Sequence, residues 1–214
     1  MVKLDLKKEF KKFYSGKPEK VIIVDVPKFN YLMIDGQGYP GTSKEYQDAM
    51  QTLYPVSYSL KFMMKNKNKD YTVMPLEGLW WAKDFKAFST EFMEKKDEWE
   101  WTAMTLQPNF ITQEIVNKAI AELLEKDKIL PSIEKLRFES YHEGLSAQIM
   151  HIGPYSEEGP NIEKLHATIK EEGGTFDGHL QKHHEIYLSD PRRTKPERLK
   201  TVIRQPFKKR DKEK

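Results

Sequence analysis

The stretch His183-His184-Glu185-Ile186-Tyr187-Leu188-Ser189-Asp190 carries the residues best suited to chemistry. Side chains alternate along a strand, so Glu185, Tyr187 and Ser189 share one face and Ile186 and Leu188 the other. The apolar face must pack into a core. That makes Glu185 a carboxylate on a half-buried strand, where carboxylates are depleted and rarely lie without a partner. Such a group can act as a general base toward water or as the counter-charge of a cation. Tyr187, two residues on, adds a phenol on the same face. A solvated edge-strand glutamate paired with a neighbouring Lys or His would give the same pattern, and the rest of the chain has to decide.

Other residue types narrow the chemistry. The chain has no cysteine, which removes disulfides, thiolate nucleophiles and Cys-ligated zinc. His183 and His184 are adjacent and would point to opposite faces, so they do not form a metal pair, and no metal or other cofactor is expected. Gly36-Gln37-Gly38 lacks the third glycine and the later acid of a dinucleotide fingerprint and reads as a turn. Glu157-Glu158 reads as a solvated helix start favoured by the helix dipole, and His166 as a packing residue on a helix face. Aromatic residues are abundant, with 4 Trp, 10 Tyr and 11 Phe, enough to fill a core and still line a pocket for a flat ligand. A net charge of +3 on 214 residues argues against nucleic acid as a partner. The absence of a long apolar run argues against a membrane span, and the charged start Met-Val-Lys-Leu-Asp-Leu-Lys-Lys against a signal peptide; a cytoplasmic location is expected.

The elements that must position these residues follow from periodicity and turn signals. A helix is predicted over 5–14, strands over 21–26 and 31–35 with a turn at Pro27 and Asn30, and a helix from Thr42 or Ser43 that Pro55 interrupts or kinks on its way to about Lys65. Strands follow at 71–81, broken at Pro75, and at 99–108, with a short helix around Phe85 to Phe92 between them. A clear amphipathic helix runs from Thr112 to about Lys126. Strands at 136–141 and 146–152, joined by His142-Glu143-Gly144, precede a helix after Tyr155 that ends at Gly173-Gly174. The Glu185 strand and a last strand at 199–206 complete the chain.

This order of elements repeats. Tyr46, Ala49 and Leu53 match Ile162, Leu165 and Ile169, and both halves end a strand in Gln-Pro. The expected fold is α+β: a tandem duplication of a ββαββ unit, with antiparallel sheets, helices on one side and a central ligand groove. Residues 1–110 form the first half with its N-terminal helix, residues 111–207 the second with its leading helix, and 208–214 a basic disordered tail; together the halves make one compact pseudo-symmetric domain. In this alignment Glu77 falls opposite Glu185, which makes it a second candidate acid.

Four segments carry a family resemblance: Tyr31-Leu-Met-Ile-Asp-Gly-Gln-Gly38, Pro75-Leu-Glu-Gly-Leu-Trp-Trp81, Trp99-Glu-Trp-Thr-Ala-Met-Thr-Leu-Gln-Pro108, and His151-Ile-Gly-Pro-Tyr-Ser156 with His184-Glu-Ile-Tyr-Leu-Ser-Asp190. In these the chain resembles the GyrI-like small-molecule-binding family over nearly its whole length, and the two Trp-containing segments are similar to its stand-alone bacterial branch. The resemblance implies a duplicated α+β fold with a central groove. It also implies either an effector-binding role, in which an acid at the place of Glu185 meets cationic aromatic drugs, or hydrolysis of cyclopropane-bearing, DNA-alkylating natural products. About 20 residues precede the first strand, too few for a helix-turn-helix, so a transcription regulator is disfavoured. A role in shielding a DNA topoisomerase, implied by the family name, would need an exposed apolar or acidic patch that the sequence does not announce.

Ring opening by water needs flat apolar walls, a base and a donor to the developing phenolate. Trp80, Trp81, Trp101 and Tyr155 are the candidate walls. Glu185 is the candidate base, with Glu77 behind it. Tyr187, Tyr155 or Tyr141 would be the donor. The same residues would serve a protein that sequesters amphipathic or cationic aromatics without chemistry. The expected partner in both cases is a small aromatic molecule, and the chain is compatible with a monomer or a homodimer.

Overall fold

The computed structural model describes residues 3–83 and 95–210. In chain order these form α1 (Leu6–Glu9), β1 (Ile22–Gln37), α2 (Lys44–Asn66), β2 (Glu77–Trp81), β3 (Glu100–Gln107), α3 (Gln113–Leu124), β4 (Arg137–Ile152), α4 (Gly159–Glu171), β5 (Gly174–Thr175), β6 (His183–Tyr187), β7 (Lys200–Pro206) and β8 (Lys208–Lys209). Six strands close an antiparallel barrel in the order β1-β3-β2-β6-β7-β4, and β5 pairs with β8 in a separate two-stranded sheet. The sheets are antiparallel as expected. The expected helix around Phe85 to Phe92 lies outside the described residues. Among the described residues, no helix is long and apolar enough to cross a membrane.

The chief correction concerns the two predicted hairpins. Residues 21–35 and 136–152 are not strand pairs but two single 16-residue strands, β1 and β4, which pair with each other. Each half therefore has one long strand where the ββαββ plan places two. The turn signals are absorbed for a physical reason. Near Pro27, β1 is bonded to β4 alone, because pairing with β3 starts only at Asn30. A missing N–H on the open side of a strand costs no ladder bond. Gly144, the supposed turn glycine, sits opposite Val26 with φ of +72° and bends β4 just before its pairing with β7 begins at Ser146. Around the barrel the order runs β1-β3-β2 on one side and β4-β7-β6 on the other.

Smaller differences have local causes. Helix α1 is a single turn capped by Asp5 rather than a helix to Tyr14. Helix α2 continues through Pro55, held by the Ser43 cap and by buried Leu53, Val56 and Leu60. Only Glu77–Trp81 of the predicted 71–81 strand joins the barrel. The expected tail begins as a strand, since Lys208–Lys209 pair with Gly174–Thr175.

Alternation divides the core. Leu79, Met104, Ile186 and Val202 face the barrel interior with Val24, Val26 and Tyr31. Helices α2 and α3 cover one stretch of the outer face over Leu32, Ile34 and Trp101, and α4 covers another over Ala147, Ile149 and Ile203. The interior also holds charges. His184 Nε2 lies 3.1 Å from Glu77 and its Nδ1 lies 3.0 Å from Glu143. Arg204 donates to Glu143 at 2.6 Å and to Gln148, and the Tyr14 hydroxyl donates to Glu77 at 2.6 Å. Every member is buried, so each charge depends on its partners.

Burial opposes the charged imidazole of His184, but Glu143 and Glu77 outweigh it and raise its pKa to about 8. A folded-state pKa above the unfolded value near 6.5 stabilises fully below that value and is lost as pH rises through the folded one. His166 works on the acid side: burial and His183 lower it to about 4, so protonation of the unfolded chain takes stability away as pH falls below about 6.5. Urea denaturation is therefore expected to show a maximum near pH 6.5 and an alkaline loss on the order of 2 kcal/mol by pH 9. A flat alkaline arm would mean that His184 is not held as a cation.

Candidate functional site

The outer face of β6 carries the alternate residues His183, Glu185 and Tyr187. Glu185 lies between Gly78 of β2 and Ile203 of β7, near the seam where the two halves of the barrel meet. Its side chain is 16% exposed, buried apart from one edge. The Tyr187 hydroxyl donates to Glu185 Oε2 at 2.7 Å, and His183 Nε2 lies 3.3 Å from Oε1. The Trp80 indole N–H donates to the Tyr187 hydroxyl at 3.1 Å. Tyr187 thus donates to Glu185 and accepts from Trp80. Burial works against the Glu185 anion, but the His183 ring beside it and the hydrogen bond from Tyr187 prevail and hold its carboxyl below the usual range.

Aromatic rings enclose this carboxylate. Tyr46 of α2 stacks on Trp80 with centroids 6.3 Å apart and meets the edge of Trp101 at 5.1 Å. Trp99 stands edge-on to Trp80 at 6.0 Å. Tyr155 meets Tyr187 edge-on at 5.6 Å and is 39% exposed, forming the open lip of the cluster. Burial pushes the Tyr155 phenol up to about 12, and Tyr46 and Tyr187 higher still, so all three stay protonated as donors at neutral pH. Trp101 is fully buried behind the wall; its indole N–H donates to Gly38 and its ring lies across Gly36.

Glycine makes one contact possible. A Cβ on Gly78 would come within 2.7 Å of the Trp80 indole nitrogen. With no side chain there, the indole folds back over its own strand and aims its N–H at Tyr187.

Of the expected site residues, the structure brings together Glu185, Tyr187, Trp80, Trp101 and Tyr155. It does not bring in the others. Glu77 pairs with Ile186, so it points into the barrel and holds His184 and Tyr14. The equivalence with Glu185 placed it one residue out of phase, and a shift of one residue reverses the face. Trp81 is on the Glu77 side of β2, with the Lys182 ammonium 3.3 Å from its ring centroid. Tyr141 packs edge-on against Tyr31 at 6.4 Å, beside the barrel interior. Tyr46, Trp99 and Glu158 entered the sequence reading only as packing or surface residues. Period-3.6 spacing puts Tyr46 on the inner face of α2 but does not say what that face covers. Glu158 is 4% exposed rather than solvated, and it lies against Glu185.

Two open surface hollows, of about 400 and 500 Å³, lie elsewhere around the Glu45–Lys135 ion pair. Neither contains Glu185. Their rims are mostly charged, without the layered aromatic walls found around Glu185.

Residues 19–208 match the model of the GyrI-like small molecule binding domain. The chain belongs to the GyrI-like small-molecule-binding family. Among solved structures, this GyrI-like chain is similar to an uncharacterized conserved protein from Listeria innocua, with 38% identity, a TM-score of 0.88, and coverage of 96% of this chain and all of that one. It is also similar to a hydrolase from Listeria innocua, with 36% identity, a TM-score of 0.84 and the same coverage. The C-terminal domain of EcmrR shares the fold at 11% identity and a TM-score of 0.54, over 89% of this chain and 98% of that one. No curated protein matches the sequence.

Substituting Gly78→Ala in this GyrI-like site is expected to expel the Trp80 indole from its place. Tyr187 then loses its donor, and small-molecule affinity falls severalfold, as for the loss of one hydrogen bond. Fluorescence titration checks this; wild-type affinity with unchanged tryptophan emission would show that Trp80 does not depend on Gly78.

Proposed function

We propose that this GyrI-like protein binds flat aromatic, amphipathic molecules at Glu185 and hydrolyses cyclopropane-bearing, DNA-alkylating compounds by adding water to the strained ring. One observation carries the reading. Glu185 is a mostly buried carboxylate that accepts from the Tyr187 hydroxyl, itself backed by the Trp80 indole, and the rings of Tyr46, Trp99 and Tyr155 pack around that Tyr187–Trp80 pair. A carboxylate placed this way can take a proton from water, and the rings can stack on a polycycle. The similarity to a Listeria hydrolase at 36% identity supports chemistry over binding alone.

The reaction balances with this chain's own residues. Glu185 accepts a proton from water as the new C–O bond forms. The cyclopropane C–C bond breaks, and its electron pair passes through the conjugated dienone to the carbonyl oxygen. That oxygen, now phenolic, takes a proton, and Glu185 returns its own to solvent. Tyr187 already donates to Glu185 and so serves best as its orienter. Tyr155, at the open lip, is the better placed phenol for the substrate oxygen. Trp80, Trp99 and Tyr46 form the walls, with Trp101 supporting Tyr46 from behind. Glu77, Trp81 and Tyr141 have structural roles in this mechanism.

A second reading uses the same carboxylate. An anion among aromatic rings also suits a flat cation, held by charge and by ring faces. Sequestration without chemistry would need no water in line with the carboxylate.

The test is incubation with a cyclopropane-bearing DNA alkylator, following the water adduct by mass spectrometry against a protein-free control. Multiple-turnover product supports the hydrolase, and binding without product supports sequestration. Glu185→Gln is expected to lower kcat by about 10²- to 10⁴-fold, the range for losing a general base, while neutral aromatic ligands still bind. Retained turnover in that variant would remove Glu185 as the base. Glu77→Gln is expected to lower stability and leave the kcat of folded protein within about threefold; a collapse of kcat with unchanged stability would move the base to Glu77.

A further inference from the structure

A second carboxyl group touches the first. Glu158 is the residue before α4, a position where a side chain ordinarily accepts from the free N–H groups of the first turn. It makes no such cap. Its side chain instead lies against Glu185 and Thr201, and its Oε1 is buried without a hydrogen-bond partner. Two neighbouring carboxylates in a poorly solvated place cannot both stay ionised at moderate cost.

We propose that Glu158 is a positioning residue that stays a protonated carboxylic acid at neutral pH and donates its proton in a hydrogen bond to Glu185, so that the pair carries one proton and one negative charge. It rests on Glu185 being the working carboxylate of the site.

The surroundings decide which of the two holds the proton. Around Glu185, β6 supplies His183 and the Tyr187 hydroxyl, α2 supplies Tyr46, and the turn before α4 supplies Tyr155. Beyond them lie Tyr54 and Asp190, both acting on Tyr155, and His166, which faces His183. The donors converge on Glu185. Glu158 has Thr201 and the Glu185 charge itself. Burial and that charge both raise its pKa. The proton therefore settles on Glu158. Both roles fall on one hydrogen bond: it keeps Glu185 anionic against burial, and it aims the second face of the carboxylate at the opening.

Two measurements test this. In protein labelled with ¹³C at the glutamate carboxyl carbons, the Glu158 signal is identified by its loss in Glu158→Gln. It is expected at the position of a neutral acid at pH 7, and the position of an ionised carboxylate there would overturn the proposal. This readout needs neither ligand nor turnover, so it stands or falls apart from the hydrolase reading. The second is the pH dependence of ethidium binding, which weakens on the acid side as Glu185 protonates. Glu158→Leu removes the donated hydrogen bond and is expected to move that limb up by about one pH unit. Glu158→Gln keeps a donor through its amide and is expected to leave the limb in place. A purely structural role would not separate these variants. A limb that moves down in Glu158→Gln would show that the wild-type residue is ionised, and overturn the proposal.

Discussion

The pairing of β2 with β6 is the constraint on which the rest depends. These two five-residue strands join the first half of the barrel to the second. Their register sets Glu77 beside Ile186 and Gly78 beside Glu185. Alternation then sends Glu77 and His184 inward and Glu185 outward. A slip of one residue would exchange these two sets, placing Glu185 in the barrel and the buried ion network on the outer face. The same register leaves the one side-chain-free position of β2 next to Glu185, which is where the Trp80 indole folds back.

The interior network makes that register costly to lose. Glu77, His184, Glu143 and Arg204 are buried together, and each satisfies another. Such a network adds little net stability over an apolar core, since desolvation offsets most of the attraction. Its effect is on specificity. Breaking any one pair would leave an uncompensated buried charge, so alternative pairings of β2, β4, β6 and β7 are penalised more than the native one is favoured. His184 and Glu185 are neighbours in sequence. The group that locks the strand and the group at the candidate site therefore cannot move independently.

On the outer face the logic differs. Aromatic rings from α2, β2, β3, β6 and the turn before α4 come together where the two helical coverings of the barrel leave a seam. Trp80 donates to Tyr187, Tyr187 to Glu185, and Trp101 to Gly38. The rings are held in place before any ligand arrives, which lowers the ordering cost of binding.

Much of this protein was legible from local pattern. Glu185 and Tyr187 share a face because strand alternation is a property of the backbone, and the α3 stripe and its Thr112 cap follow from helical periodicity. The same local rules misread β1 and β4. Pro27 and Gly144 are turn residues by type, yet each falls where its strand lacks a neighbour on one side, and only the pairing tells that. Local pattern also could not choose between Glu77 and Glu185, or between Trp80 and Trp81. Both β2 and β6 have two buried faces, one against the barrel interior and one beneath helices, so hydrophobicity alone marks neither face as the site. Glu158 looked solvated because a glutamate at a helix start ordinarily is. The sequence by itself determined which groups could do chemistry and which of them lie on a common strand face. The tertiary structure decided which face meets the seam and which distant side chains come into contact, because those depend on strand order and register, and neither is a local property of the chain.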